Sequence, residues 1–351
     1  MRIRGIALPA GEPVECWTDG GRLTFTRQPG ADTVIDGGFL LPGLVDAHSH
    51  PGRPPGLGDP LDEAKLRADA RAHAEAGVAL LRALGSPDRP LPARFRAGTP
   101  RILDAGIPLG VPGQFPPGAG RVVPAADLPA AAVQNCRDAG GTWCKLYADW
   151  IFDADALARP SLAPPETLAE AVRQVHAAGG RVAVHATHPD ACRAVVQAGA
   201  DSLEHGLWLD AGLLPQMARQ GTALTPTITV WARQLGAIEA EPEPVRSWFL
   251  DGLRRLPHLT AQAHDAGVTV LAGTDSEPHG RIADEIRSLA RGVPADVALG
   301  AGSWKARAYF GLPGLAEGAP ADIVGYAEDP RQNLAVLDHP SRIVIGGRLV
   351  R

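Results

Sequence analysis

Short apolar runs with strand character recur along this chain from Leu40 onward, and stretches with a helical pattern separate most of them. Strands are predicted at eight of these runs: Gly43–Ala47, Val78–Leu84, Ile102–Ala105, Trp143–Tyr147, Arg181–His185, Ser202–Glu204, Thr222–Thr227 and Val268–Ala272. Helices are predicted where a glycine directly follows the pattern and can end it: Asp62–Ala76, Pro165–Ala178 and Pro189–Ala198. This alternation predicts an α/β fold, a (β/α)8 TIM barrel. A doubly wound open sheet is the alternative.

The two ends of the chain have a different pattern, with short strands and tight turns. Thr18–Arg22 has hairpin character, and a Gly-Gly turn at 346–347 separates two short strand patterns near the C-terminus. We predict that residues 1–42 and 316–351 form a small β-sandwich domain beside a barrel of residues 43–315. Two long loops rich in proline and glycine, Gly106–Pro129 and Ala148–Pro164, follow barrel strands and are expected to cover the catalytic face.

The composition excludes several classes of function. Of the 351 residues, 45% are hydrophobic and 21% are charged, which is enough to bury a large core. The net charge of −5, without a face rich in Lys and Arg, argues against nucleic acid as a partner. No apolar run is long enough to span a bilayer, and no signal-peptide core follows Met1, so a cytoplasmic location is expected. The four scattered cysteines are predicted to be reduced and buried.

Five residues of metal-binding type lie at or just past the ends of predicted strands: His48, His50, His185, His205 and Asp275. Taken singly, a His is more often a hydrogen-bonded structural residue, and an Asp is more often a turn or N-cap residue. Together they fall where a barrel enzyme assembles its site, at the C-terminal strand ends. His48 and His50 are two apart on extended chain, so both point to one face. Only a closed ring brings the first and eighth strands together, which favours the barrel.

Lys145 lies inside the apolar strand Trp143–Tyr147, where an unpaired ammonium group is costly to bury. A partner carboxylate, or an amine that reaches solvent, is one explanation. The other is a carbamate formed with CO2, which turns the amine into a carboxylate able to bridge two cations. Bound metal ions would then neutralise the negative charge of the carbamate. The free-energy cost of burying a charged lysine would therefore disappear.

Several segments resemble motifs of the amidohydrolase superfamily and cover nearly the whole chain: Leu41–His50, Val184–Ala186, Asp201–Gly206, Gly273–Ser276, Gly318–Val324 and Ile345–Arg348. The resemblance is closest to the imidazolonepropionase-related branch that includes prolidase-like and acyl-amino-acid-hydrolysing enzymes. In its two-metal members a His-x-His pair and an Asp hold one ion, two further His hold the other, and a carboxylated Lys bridges them. These roles carry over, in that order, to His48, His50, Asp275, His185, His205 and Lys145.

The resemblance implies a pair of divalent ions, with Zn²⁺ expected for ligands of this type. The single-metal deaminases and imidazolonepropionase itself lack the lysine ligand, so Lys145 argues against them. Three further residues are candidates for substrate binding. Tyr147 shares a strand face with Lys145, and Trp231 follows a strand end, although core packing explains both equally well. His188 lies just past His185, where a surface His at a helix start is the alternative.

The expected function is hydrolysis of an amide or peptide C–N bond in a small molecule, of dipeptide or N-acyl amino acid type. A hydroxide that bridges the ions would attack, and Asp275 would take its proton and deliver it to the leaving nitrogen. A lactone or phosphoester hydrolase on the same ions is the first alternative, since a fold does not define the leaving group. A non-catalytic binding protein is the second, and the presence of all six candidate ligands argues against it. Assembly into a homo-oligomer is left open.

Overall fold

The computed structural model describes residues 1–54, 56, 58–86, 88–91, 97–115 and 118–351. The strands are β1 (Arg2–Ala7), β2 (Glu12–Asp19), β3 (Arg22–Thr24), β4 (Thr33–Pro42), β5 (Leu44–Ser49), β6 (Val78–Ala83), β7 (Arg101–Asp104), β8 (Leu109–Gly110), β9 (Arg121–Val122), β10 (Trp143–Tyr147), β11 (Arg181–Ala186), β12 (Ser202–His205), β13 (Ala223–Thr225), β14 (Ile323–Tyr326), β15 (Arg342–Ile345) and β16 (Arg348–Leu349). The helices are α1 (Glu63–Glu75), α2 (Leu128–Asp138), α3 (Ala154–Ala158), α4 (Pro165–Ala177), α5 (Pro189–Gln197), α6 (Leu214–Gln220), α7 (Ile228–Glu239), α8 (Val245–Asp265), α9 (Ile282–Leu289), α10 (Ala295–Ala301) and α11 (Trp304–Tyr309).

The N- and C-terminal segments meet in one mixed sheet of seven strands, in the order β16-β15-β14-β4-β1-β2-β3. Strand β4 joins the two segments because it runs parallel to β1 on one side and antiparallel to β14 on the other. Apolar side chains from both ends of the chain share one buried cluster beneath this sheet, including Ile3, Ile35, Leu40 and Ile323. The sheet is therefore held by contacts between residues from opposite ends of the sequence.

The strands that carry the candidate site pair in parallel. β5, β6 and β7 form a three-stranded sheet, and β8 to β13 form a six-stranded sheet in the order β13-β12-β11-β10-β8-β9. Every residue of β5, β6 and β10 is buried. Parallel strands covered on both faces need apolar side chains throughout, which explains the continuous apolar runs in the sequence. The α/β class with parallel strands is confirmed.

Seven of the eight predicted strands are present, and the last one is not a regular strand. Around Val268–Ala272 the structure has a single bridge, between Leu224 and Val270. The backbone of this segment bonds to three separate parts of the chain. Leu271 N donates to Leu224 O, Ala272 O accepts from Ala47 N, and Ala272 N donates to Ala301 O. The third bond uses the N–H group of Ala272, which would otherwise donate to a neighbouring strand in a parallel ladder. Strand pairing therefore ends early.

The three predicted helices are present within one residue of their expected ends. Helix α1 begins as expected from capping, because the Asp62 carboxylate accepts hydrogen bonds from the backbone N–H groups of Ala64 and Lys65. Gly77 follows this helix with φ +83°, a conformation that glycine adopts at no steric cost. Helices α7 and α8 carry no prediction from the sequence. No helix in the described part of the chain is long and apolar enough to cross a membrane.

The two long loops contain short elements of their own. Gly106–Pro129 includes β8, β9 and a 3-10 turn at Ala125–Asp127, while its residues 116 and 117 lie outside the described chain. Ala148–Pro164 includes α3. Among the described residues of these loops, two hydrogen bonds join them: Gln114 Nε2 donates to Ala148 O at 2.9 Å, and Ser161 Oγ donates to Pro112 O at 2.6 Å.

All four cysteines lie within the described residues, and each is buried and unpaired, which confirms the prediction. Burial raises the pKa of the Cys16 thiol to about 11 and that of the Cys144 thiol to about 12. Thiolate forms are therefore disfavoured at neutral pH, and these side chains act as small apolar residues.

Candidate metal centre

One cavity of about 450 Å³ lies at the C-terminal ends of the parallel strands. All six side chains that the sequence selects as candidate ligands line it: His48, His50, Lys145, His185, His205 and Asp275. The register contributes to this convergence, because it pairs Tyr147 with His185 and Ala186 with His205. The parallel sheets thus bring together residues that are far apart in the chain.

Three of these residues are close enough to contact one ion. Each of His48, His205 and Asp275 offers an atom within 4.8 Å of the other two. Asp275 Oδ1 lies 3.6 Å from His48 Nε2 and 3.2 Å from His50 Nε2. The ring of His185 adjoins this group, with its centroid 4.4 Å from that of His205. Five of the predicted ligands therefore form one contiguous cluster.

The backbone at this cluster adopts conformations that most residues avoid. In the described part of the chain, three non-glycine residues have positive φ: His205 (70°), Thr227 (50°) and Asp275 (46°). Such residues cluster at functional sites, where the surrounding structure holds them. Asp275 is held by its backbone N–H, which donates to His48 O at 2.8 Å. Gly273 allows this approach, because a Cβ there would lie 2.6 Å from His48 Cβ.

Hydrogen bonds orient the imidazole rings from behind. His48 Nδ1 lies 2.7 Å from Glu204 Oε2, His50 Nδ1 lies 3.0 Å from Gly85 O, and His205 Nδ1 lies 2.7 Å from Thr227 Oγ1. In a neutral ring whose Nδ1–H donates, Nε2 keeps its lone pair free. Metal-binding histidines are commonly held in this way, so the arrangement fits a divalent ion on the cavity side.

The ring of His185 has the opposite orientation to the other three histidines, because its Nε2 rather than its Nδ1 faces the supporting residue. Its Nε2 lies 3.5 Å from Asp149 Oδ1, which leaves Nδ1 free for the cavity. Asp149 is buried and accepts hydrogen bonds from Thr187 N and Thr187 Oγ1, at 3.0 and 3.1 Å, and from His188 N. Burial raises the Asp149 pKa to about 6, whereas these hydrogen bonds lower it. Asp149 therefore links the end of β10 to the start of α5 behind the ring.

Burial sets the charge state of the histidines. It lowers the pKa of His48 to about 4 and that of His205 to about 3, and it lowers the His185 pKa well below the ordinary value. These rings are therefore neutral near pH 7, the form in which imidazole binds a metal. Burial acts to raise the pKa of Asp275, but the neighbouring His48 and His50 hold it well below its usual range. Asp275 is thus a carboxylate.

Lys145 is buried and faces this cavity without a partner. Within the described chain, its Nζ forms no hydrogen bond and no ion pair, and it lies 5.5 Å from the ring centroid of Tyr147. Burial lowers the Lys145 pKa to about 8, although Glu204 and Asp275 act in the opposite direction. A direct partner carboxylate is therefore not what accommodates this lysine.

A buried ion pair supports His48, and the sequence analysis missed it. Glu204 accepts hydrogen bonds from Arg82 Nη2 at 2.8 Å and from Ser202 Oγ, while its other oxygen faces His48. Arg82 also donates to Ala47 O at 2.6 Å, and its guanidinium lies 4.6 Å from the ring centroid of Trp143. Burial acts to raise the pKa of Glu204, but Arg82 and His48 hold it well below its usual range.

Replacing Glu204 with glutamine is expected to destabilise the protein by about 3–5 kcal/mol, because Arg82 then keeps a buried charge without its counter-ion. Urea unfolding of the wild type and Glu204→Gln measures this difference. The exposed pair Glu170–Arg173 offers a control, since Glu170→Gln should leave the free energy of unfolding close to that of the wild type. Equal effects at the two sites would contradict the role of Glu204.

Asp46 is a second buried carboxylate that the sequence analysis did not select. It accepts hydrogen bonds from His48 N at 3.2 Å, Thr274 N at 3.0 Å and Thr274 Oγ1 at 2.7 Å. Burial raises its pKa to about 7. Asp46 thereby ties β5 to the segment that carries Asp275. Asp46 and Glu204 each lie within two residues of a predicted ligand, and that proximity was the available signal.

The three candidates for substrate contact fall in different places. Tyr147 and Trp231 line the cavity, and the Trp231 ring centroid lies 5.6 Å from that of His205. His188 is not among the lining residues. It is the N-cap of α5, where its ring nitrogen accepts from Asp190 N at 3.2 Å and its ring stacks on Trp248. His188 thus has a capping role in this structure, its contact with substrate stays a prediction, and its neighbour Thr187 lines the cavity.

Comparisons with known proteins identify the family and the fold. A family model described as the amidohydrolase family matches residues 39–350. An uncharacterized protein of Mycobacterium tuberculosis (strain ATCC 25618 / H37Rv) is 38% identical over 359 residues, which covers 99% of this chain and 95% of that protein. A prolidase solved in complex with N-methylphosphonate-L-proline superposes with a TM-score of 0.85 at 19% identity, covering 99% and 98% of the two chains. The ochratoxinase of Aspergillus niger superposes with a TM-score of 0.80 at 19% identity, covering 100% of this chain and 95% of that one.

Proposed function

This chain belongs to the amidohydrolase family, and we propose that it is a metal-dependent hydrolase that cleaves an amide or peptide C–N bond in a small substrate. The observation that carries the proposal is the convergence of six candidate ligands on one cavity, with the histidines supported from behind. Substrates of dipeptide or N-acyl amino acid type are proposed because a prolidase and an ochratoxinase share the fold. A panel of such compounds, assayed for release of free amine, tests the proposal.

A closed (β/α)8 barrel of residues 43–315 is part of this proposal. Backbone hydrogen bonds between the two parallel sheets support it: Lys145 N donates to Ala105 O beside β7, and Ala47 N donates to Ala272 O. The Val268–Ala272 segment would then stand in the place of the eighth strand. A small β-domain formed by residues 1–42 and 316–351 is also proposed, and the shared terminal sheet supports it. The predicted sandwich would need a second sheet packed against this one.

The six side chains would hold a pair of divalent ions, with Zn²⁺ expected from the nitrogen-rich donor set. When bound, the ions would polarise the scissile carbonyl and lower the pKa of water, so that a nucleophile exists at neutral pH. His48, His50 and Asp275 would hold one ion, whereas His185 and His205 would hold the other. His48, His205 and Asp275 each offer an atom within 4.8 Å of the other two, so residues from both proposed groups of ligands lie close together in the cavity.

Lys145 is proposed to carry a carbamate that bridges the ions. The lone pair of a neutral Nζ attacks the carbon of CO2, so that an N–C bond forms while one C=O π bond breaks and leaves its electron pair on oxygen. An N–H bond then breaks, and its proton passes to solvent. The lowered pKa of Lys145 favours the reaction, because more of the amine is neutral near pH 7 than for an exposed lysine. The lysine side chain would then end in a carboxylate where the histidine nitrogens converge. Single-metal deaminases lack this ligand, so the proposal places the chain outside them.

Asp275 is proposed to carry the proton during hydrolysis. Its carboxylate lies beside His48 and His50 and is anchored through its backbone, so it can accept a proton from attacking water and pass it to the leaving nitrogen. Hydrolysis of a lactone or phosphoester would use the same residues. Phosphotriesters and lactones therefore belong in the substrate panel, and turnover of these alone would overturn the amide assignment.

The purified protein is expected to contain a pair of divalent ions per chain, because the donor set suits a two-metal site. Metal analysis of the active protein measures this. Chelation should abolish hydrolysis, and added Zn²⁺ should restore it. One ion per fully active chain would remove the bridging role from Lys145 and favour the single-metal branch of the family.

A further inference from the structure

Arg53 lies at one side of the metal-centre cavity and has no assigned role. It follows His50 by three residues, and its half-buried side chain lines both this cavity and a smaller adjoining pocket. The smaller pocket is also bounded by His50, Gly85, Pro108 and Tyr147, so Arg53 lies over the ends of β5 to β7 and of β10. The guanidinium is therefore close to the bond-breaking region without being a candidate ligand.

The Arg53 guanidinium is free to bind a ligand. It makes neither a hydrogen bond nor an ion pair with any residue that the structure describes. Arg53 and Tyr147 together line both the smaller pocket and the metal-centre cavity, so the guanidinium lies on the Tyr147 side. Arginine presents several N–H donors in a planar fork that matches the two oxygens of a carboxylate. A half-buried guanidinium with unused donors beside a cavity is suited to an anionic group.

The turn that carries Arg53 is packed in place. Arg53 N donates to His50 O at 3.2 Å, and Gly52 N donates to Asp69 Oδ2 at 2.8 Å. Gly52 has φ +80°, and a Cβ there would lie 2.8 Å from side-chain atoms of Leu61 and Leu66. The backbone before the guanidinium is therefore fixed relative to His50, as a specific contact with substrate requires.

Most side chains on the opposite side of the cavity are apolar or aromatic, while Gln234 and Glu241 also line it. Val230, Trp231 and Ile238 from α7 line it together with Phe249 from α8. Helix α7 follows β13, and Trp231 contacts His205 at the end of β12. This wall therefore belongs to the β12–β13 side, whereas Arg53 belongs to the β5–β7 side. The candidate metal ligands lie between the two.

We propose that Arg53 binds the free carboxylate of the substrate, which defines the substrate class as N-acyl amino acids or dipeptides with an apolar group on the acyl side. This inference rests on the proposed function. With the carboxylate at Arg53 and the apolar acyl group against Val230, Trp231 and Ile238, the C–N bond lies over the metal ligands. Arg53 would thus act on specificity and substrate position, without taking part in the proton transfer.

The test uses compounds that differ only in the carboxylate: N-benzoyl-L-alanine and N-ethylbenzamide. For each, kcat and KM of the zinc-loaded enzyme are measured, and binding is measured by calorimetry. The wild type is expected to prefer the acid by about 10- to 100-fold in kcat/KM, the usual effect of one charge-assisted hydrogen-bond pair. Arg53→Gln should lose this preference mainly through KM, and Arg53→Lys should keep part of it.

Arg173→Gln is the control, because Arg173 is 67% exposed on α4 and should leave the preference unchanged. Metal content and melting temperature should be the same in all variants. If Arg53→Gln discriminates as well as the wild type, or if neither compound binds to the wild type, the carboxylate site is wrong. Hydrolysis of both compounds at equal rates would also overturn it, while the proposed function would stand. Arg53-dependent binding of the acid without hydrolysis would support the carboxylate site and refute the proposed function.

Discussion

Asp275→Asn is expected to lower kcat by about 10²–10⁴, the usual cost of losing a general base. Asparagine keeps the size of the side chain and one oxygen donor, so the fold and part of the metal site should persist. It removes the carboxylate that lies 3.2 Å from His50 Nε2 and can accept a proton from attacking water. Steady-state kinetics, with metal analysis of the same preparation, measures the effect.

The pH dependence separates proton transfer from a purely structural effect. In the folded protein the Asp275 pKa is held well below its usual range. The wild-type side chain therefore remains an ionised carboxylate, able to accept a proton, as the pH falls. The acid limb of the wild-type pH–rate profile should report the ionisation of Asp275 and the attacking water as one unit, so this limb should change in Asp275→Asn. Asp265→Asn, at an exposed position at the end of α8, is the matched control. A metal-loaded Asp275→Asn enzyme within a few-fold of the wild-type rate would falsify the proton-carrying role.

Lys145→Ala is expected to lose one of the two ions and most of the activity. The proposed carbamate is the group that contacts both ions, and alanine cannot form it. A short carboxylic acid such as acetate or propionate is expected to enter the space left by the side chain and to supply the carboxylate in place of the proposed carbamate. Adding it to the variant should partly restore both metal content and rate.

Lys305→Ala, at an exposed position on α11, is the control for loss of a lysine and should behave like the wild type with or without the acid. Metal content and rate are measured across a series of acids of increasing length. The carbamate is contradicted if Lys145→Ala retains both ions at full rate. If Lys145 served only to fill the core, Lys145→Ala would instead be destabilised, and no carboxylic acid would restore its metal content or rate.

Much of the fold follows from local pattern. The β10 strand matches its predicted bounds, because a strand buried on both faces must be apolar throughout and its sequence shows it. Helix α1 has its expected ends because Asp62 caps it and Gly77 follows it. The Val268–Ala272 segment shows the limit, since it has the composition of a strand but its hydrogen-bond partners lie elsewhere in the chain.

The candidate ligands were predictable because metal binding restricts residue type and because parallel strands present their ends at one edge of a sheet. His48, Lys145 and Asp275 could thus be selected from type and position alone. The residues that support these ligands could not be selected in this way. Arg82 and Glu204 are 122 residues apart in the sequence. The counter-ion of an arginine in an apolar strand can therefore be identified only from the folded structure.

The sequence by itself determined the α/β class, the positions of seven of the strands that pair in parallel and the set of candidate ligands, because each depends on short-range pattern or on residue chemistry. Only the tertiary structure decided which nitrogen of His185 faces the cavity, that His188 caps a helix, and that Arg53 lies opposite an apolar wall. Those features depend on distances between segments that no local pattern encodes. Orientation and charge within the cavity are properties of the packed strands, and the substrate is expected to be selected there.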